Sequence, residues 1–139
     1  LDDDPAEDGF FQAREIYDLK LDADLVVLSA CQTARGVIEK GEGLSGLARA
    51  FFCAGARSVL ASLWDVNDRS TGPFMKEFYG YLVKGVSKEE ALRQAKLKML
   101  GSRYGHPYYW APFILMGESS SSVPCEPPSL ADRILGAFE

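Results

Sequence analysis

An α/β fold built on a mostly parallel sheet is what this chain predicts, and three features predict it. Leu25-Val-Val-Leu-Ser-Ala30 runs apolar without alternation and ends in small residues, the pattern of a strand buried on both faces of a parallel sheet. Arg57-Ser-Val-Leu-Ala-Ser-Leu63 has the same character. After each of them the apolar spacing changes to that of a helix face, first at Leu44, Leu47, Ala48 and Phe51, then at Phe74, Met75, Phe78, Tyr79 and Leu82. Strands alternating with helices long enough to cross over define this class.

In chain order, residues 1–9 form an Asp-rich loop closed by Gly9, and Phe10 to Leu19 supports at most two helical turns. Asp22 to Asp24 makes the turn into the first strand, and Gln32 to Gly41 is a polar loop leaving it. The next helix begins at Glu42 and ends at Gly55, placed as a C′ glycine. Trp64-Asp-Val-Asn-Asp68 is the exit loop of the second strand. Pro73 is expected near the first turn of the helix that follows, and Gly85 stops it. Ser87-Lys-Glu-Glu90 reads as a capping box for a helix from Lys88 to Leu100, closed by Gly101. Tyr108 to Met116 reads as a third strand, whose Pro112 puts it at an edge or at a strand start. The folded part is expected over residues 1–118, with 119–139 a Ser/Pro-rich linker or tail ending in a short apolar stub. Three strands make a thin sheet, and the Val26 strand is expected to keep an open hydrogen-bonding edge that invites aggregation.

Composition narrows the function. A chain of 139 residues suits one domain with its own core. Its apolar runs fall short of the roughly 20 residues of a membrane span, so no membrane partner is expected. A net charge of −5 and a pI near 4.9 argue against direct nucleic-acid binding and favour a cationic peptide segment as guest. Three cysteines without clustered spacing suit neither a disulfide framework nor a metal site; no metal or cofactor is expected, and a reducing, cytoplasmic setting is. The absence of a signal peptide agrees, and the start at Leu1 suggests a piece of something longer.

Cys31 falls where the first strand should end, and in open α/β sheets chemistry gathers at the carboxyl ends of the strands. The thiol is a candidate nucleophile; the plainer alternative is a small buried side chain, the reading given to Cys53 and Cys125. The one histidine, His106, lies among Pro107, Tyr108, Tyr109 and Trp110, where a structural imidazole bonded to backbone is the expectation. Gly41-Glu-Gly-Leu-Ser-Gly46, with Asp65 beyond it, spells a dinucleotide fingerprint. Ten residues separate it from its strand, however, and Glu42 would face the pyrophosphate, so close packing of the loop is the better account of its glycines.

Several ordered motifs carry a resemblance: Leu28-Ser-Ala-Cys-Gln-Thr33, Gly41-Glu-Gly-Leu44, Arg49-Ala-Phe51, Ala54-Gly-Ala56, Ser62-Leu-Trp-Asp-Val66, Glu90-Ala-Leu92, His106-Pro107 and Trp110-Ala-Pro-Phe113. From about Gly9 to Gly117 the chain resembles the carboxyl-terminal part of the CHAT domain, a member of the caspase-like cysteine peptidases related to separases. The resemblance implies a caspase-like three-layer sandwich, a mostly parallel sheet flanked by helices, here incomplete at its amino-terminal side. It implies a protein or peptide substrate and tetratricopeptide repeats upstream in the full-length protein. Cys31 matches the family's nucleophile. The Trp64–Asp68 loop resembles the segment bordering the substrate pocket, with Asp65 and then Asp68 as acceptors of a basic P1 side chain and Trp64 beside them. A carboxylate that merely caps the helix after this loop is the alternative.

In caspase-like enzymes the dyad histidine precedes the cysteine, yet the 30 residues before Cys31 hold none, and His106 matches the family's structural His-Pro. The base is therefore expected upstream of Leu1, and residues 1–139 alone are expected to lack peptidase activity. A non-catalytic interaction module that kept the fold, and a nucleotide-binding domain, remain the competing functions.

Overall fold

A computed structural model describes residues 13–28, 43–119 and 134–135. The order of elements is α1 (Ala13–Tyr17), β1 (Leu25–Leu28), α2 (Gly43–Ala54), β2 (Ser58–Ser62), α3 (Asp68–Val83), α4 (Lys88–Leu100), a 3₁₀ turn (Pro107–Tyr109), β3 (Phe113–Gly117) and β4 (Ile134–Leu135). The sheet runs β3-β2-β1-β4. β1 pairs in parallel with β2, in the register Val26↔Val59, and with β4, in the register Leu25↔Ile134; β3 pairs antiparallel with β2.

Period-2 alternation assigns the two faces. Val26, Leu28, Val59 and Ala61 point to one side and pack with Ile16 of α1 and Leu47, Ala50, Phe51 and Ala54 of α2. Leu25, Val27, Leu60 and Phe113 point to the other and pack with Phe74, Phe78 and Leu82 of α3 and Ala91, Ala95 and Met99 of α4. Every residue of β1 and β2 is buried because helices cover both faces, which explains the unbroken apolar sequence of β1 and the apolar centre of β2 between Ser58 and Ser62. Phe74 stacks on Phe113 at 3.9 Å between ring centroids, joining α3 to the edge strand.

Several expectations need correction. The segment before β3 is a 3₁₀ turn; Pro107 begins that turn and Pro112 immediately precedes the strand, so Tyr108 to Ala111 cannot join the ladder. Pro73 lies at the sixth residue of α3 because Asn67 caps the helix a full turn earlier. Part of the expected tail, Ile134–Leu135, is a strand on β1, so the Val26 edge is paired at Leu25 and Val26 and is not open there. Cys53 is exposed on α2.

The amino-terminal end of β2 is tied down by a polar cluster. Lys88, the first residue of α4, is wholly buried and donates from Nζ to Ser58 Oγ at 2.7 Å and to the Glu118 carbonyl at 3.3 Å. Ser58 Oγ in turn donates to the same carbonyl. Burial lowers the Lys88 pKa below the usual lysine range, against the opposing fields of Asp24 and Glu118.

Candidate functional site

β1 and β2 are neighbours and parallel, so their carboxyl ends open on the same rim of the sheet, with Leu28 opposite Ala61. Cys31 and the Gln32–Gly41 loop follow β1 and lie outside the described residues, as do Gly41 and Glu42 of the glycine motif. The loop leaving β2 is described in full. Ser62 donates from Oγ to the Trp64 carbonyl at 2.6 Å, which bends the chain out of the strand.

This loop is locked to the 3₁₀ turn by a reciprocal pair of contacts. Trp64 Nε1 donates to the Tyr108 carbonyl at 3.0 Å, and the Tyr108 hydroxyl donates to the Asp65 carbonyl at 2.7 Å. The two rings stack at 6.3 Å between centroids and 27° between planes. Both remain 39–46% exposed, an aromatic surface held in place yet open to solvent. Asp65, Val66, Asn67, Asp68, Arg69 and Tyr108 line an open depression of about 530 Å³. Asp65 and Asp68 thus share one concavity, with Trp64 alongside it, supporting Tyr108.

The capping alternative for the aspartates does not hold. Asn67 is the N-cap of α3: its side chain accepts from the Arg69 N–H at 2.7 Å, and its carbonyl accepts from the hydroxyls of Ser70 and Thr71. Asp68 sits in the first turn, where the helix dipole favours a carboxylate. Neither aspartate is consumed as a cap.

His106 is exposed, and its Nδ1 accepts from the Tyr108 N–H at 3.2 Å, capping the 3₁₀ turn as a backbone-bonded imidazole should. Tyr108 is the lining residue the sequence did not announce. Within Gly-His-Pro-Tyr-Tyr-Trp nothing distinguishes it from Tyr109; only the turn geometry sends one ring to the β2 exit loop and the other toward Tyr104. Among the described residues no cluster of His, Cys, Asp and Glu could hold a metal ion, and no helix is long and apolar enough to cross a membrane.

A family model, that of the CHAT domain, matches residues 1–118. The chain is 36% identical over 126 residues to Tetratricopeptide repeat protein 28 of Mus musculus and 35% identical to the protein of that name from Homo sapiens. These alignments cover 90% of this chain and 5% of either relative. No solved structure matches the chain with significance.

Proposed function

Because the chain belongs to the CHAT domain family, we propose that it is the carboxyl-terminal part of a caspase-like cysteine endopeptidase domain, with Cys31 as nucleophile and the Trp64–Asp68 loop as receptor for a basic P1 side chain. The observation that carries the proposal is the pairing of two parallel strands with a shared carboxyl rim. One runs within three residues to Cys31, and the other runs into a loop whose two carboxylates line one depression. Covalent reach holds Cys31 within about 11 Å of Leu28. Helices on both faces of the sheet support the caspase-like three-layer sandwich.

In this reading the Cys31 thiolate attacks the scissile carbonyl, the C–N bond breaks as the amine fragment leaves with the proton the base took from the thiol, and water then hydrolyses the acyl-enzyme. Asp65 or Asp68 pairs with an arginine guanidinium in a charge-assisted bond, while the Tyr108 ring walls the slot. The thiol's proton goes to a base outside these 139 residues, since His106 is spent on the 3₁₀ turn. Residues 1–118 form the main part of the domain, and 119–139 a tail that adds Ile134–Leu135 to the sheet. Upstream tetratricopeptide repeats, as the relatives' names suggest, and a reducing cytoplasmic setting complete the proposal.

Two peptidyl acyloxymethyl ketones, identical but for Arg or Glu at P1, test it by intact mass. The arginyl probe should alkylate Cys31 at least about tenfold faster, the effect of roughly 1.4 kcal/mol from one charged hydrogen bond. The preference should vanish in Asp65→Asn/Asp68→Asn, and the adduct in Cys31→Ser. Equal rates, or adducts confined to Cys53 or Cys125, would contradict it. The chain alone should not turn over an Arg-P1 peptide; turnover that Cys31→Ala abolishes would place a working base within these residues.

A further inference from the structure

The far edge of the sheet, away from the candidate site, presents a second surface. Leu63 N donates to Pro112 O and Glu118 N to Arg57 O, so β3 residues of even number turn their main chain to β2. Antiparallel pairing alternates, which leaves the N–H and C=O of Leu115 and Gly117 directed outward. Beyond the ladder to β2, no backbone hydrogen bond reaches either residue among the described residues. The strand Phe-Ile-Leu-Met-Gly carries none of the charges or internal prolines that normally blunt an edge.

Beside this edge runs an apolar groove of about 580 Å³ between β3 and α4, lined by Leu92, Leu97, Leu100, Trp110 and Ile114. Leu97 and Leu100 are about half exposed. The groove's charged lining is Glu89, which accepts from Ser119 Oγ at 3.1 Å, then Arg93 and, further along α4, Lys96. Lys96 is half-buried, makes no ion pair among the described residues, and is held below the usual lysine range by burial. Arg93, by contrast, is paired with Glu90 at 3.1 Å.

We infer that the β3 edge and the α4 groove form a docking site for an extended peptide segment of a partner protein, which adds to β3 as a strand. Apolar side chains of the segment fill the groove and a carboxylate between them pairs with Lys96. Main-chain bonds supply affinity, and the alternate side chains supply selectivity. A second copy of this chain fits less well. Glu89 lies level with Ser119, bonded through Glu89 N to Ser119 O, so Lys96, about 10 Å further along α4, falls beside the middle of β3. Two-fold pairing of β3 with β3 would bring the two Lys96 ammonium groups to the same level, where like charges repel.

Fluorescein-labelled heptapeptides test this by anisotropy on the 139-residue chain: Thr-Leu-Thr-Glu-Thr-Leu-Thr, the same peptide with Lys for Glu, and the first peptide N-methylated at alternate amides. The Glu peptide should bind about tenfold more tightly than the Lys peptide, and Lys96→Glu should reverse that order. N-methylation on the β3-facing side should abolish binding, and the bound Glu peptide should slow amide exchange at Leu115 and Gly117. Indifference to the central charge, binding that survives N-methylation of the β3-facing amides, or a sedimenting dimer that excludes all three peptides would overturn the inference. The Cys31 labelling rates do not enter this readout, so the two proposals fail separately.

Discussion

At the scale of single residues, the least expected side chain is Lys88. The sequence marks Ser87 as a cap, and Ser87 Oγ does accept from the Glu90 N–H at 3.3 Å. Glu90 does not reach back as a capping box requires, since its carboxylate accepts from Arg93 and Gln94. Nothing in the pattern foretells that Lys88 turns inward, because its neutralising contacts come from Ser58 and Glu118, 30 residues away in either direction. Its effect on pH dependence follows from its lowered pKa. The unfolded chain binds this proton more tightly, so the corresponding stability is fully present above 10.5 and is lost as pH falls through the lower folded value. Lys88→Met should flatten this alkaline rise in Tm relative to the parent. Ser58→Ala, which strips a buried ammonium of its closest acceptor, should cost about 2 kcal/mol in urea unfolding at neutral pH and should cost less in the Lys88→Met background. Additive losses would refute the coupling.

Among the elements, those with local chemistry were legible and those defined by partners were not. Gly55 is the clearest success. It has φ +111°, and the Ala56 N–H bonds back to Phe51 O, as a glycine-terminated helix requires. A Cβ there would lie 1.8 Å from the Leu21 carbonyl oxygen, so Gly55→Ala should destabilise by more than about 2 kcal/mol, measurable as a shift in urea midpoint. Gly80→Ala, with open space at its Cβ and an ordinary helical backbone, should be neutral or slightly stabilising. The strand at Tyr108 to Met116 was half legible: its apolar content marked β3, but aromatic residues before Pro112 imitate a strand while forming a turn that anchors Trp64. The same limit hid Tyr108, whose role depends on where a distant loop passes.

For the whole molecule, buried parallel strands and helix-period segments were enough to foresee an α/β arrangement, because each of those patterns is imposed by what lies on either face. The sheet's outer members were harder. Ile134–Leu135 belong to the short apolar stub that ends the tail, and their place on β1 comes from the long-range register Leu25↔Ile134, Val26↔Leu135. Removing residues 130–139 should therefore reopen the β1 edge and promote association, seen as larger species in size-exclusion chromatography; an unchanged monomer would show that edge to be harmless. The functional reading depends on the opposite dimension of the sheet, the rim where β1 and β2 end. The most direct test is a crystal structure of the chain trapped with the arginyl ketone. A thioether at Cys31 is expected, with the guanidinium about 2.8 Å from a carboxylate oxygen of Asp65 or Asp68. An adduct at Cys31 whose guanidinium lies in solvent, or a Cys31 sulfur enclosed by apolar side chains and unmodified, would contradict it.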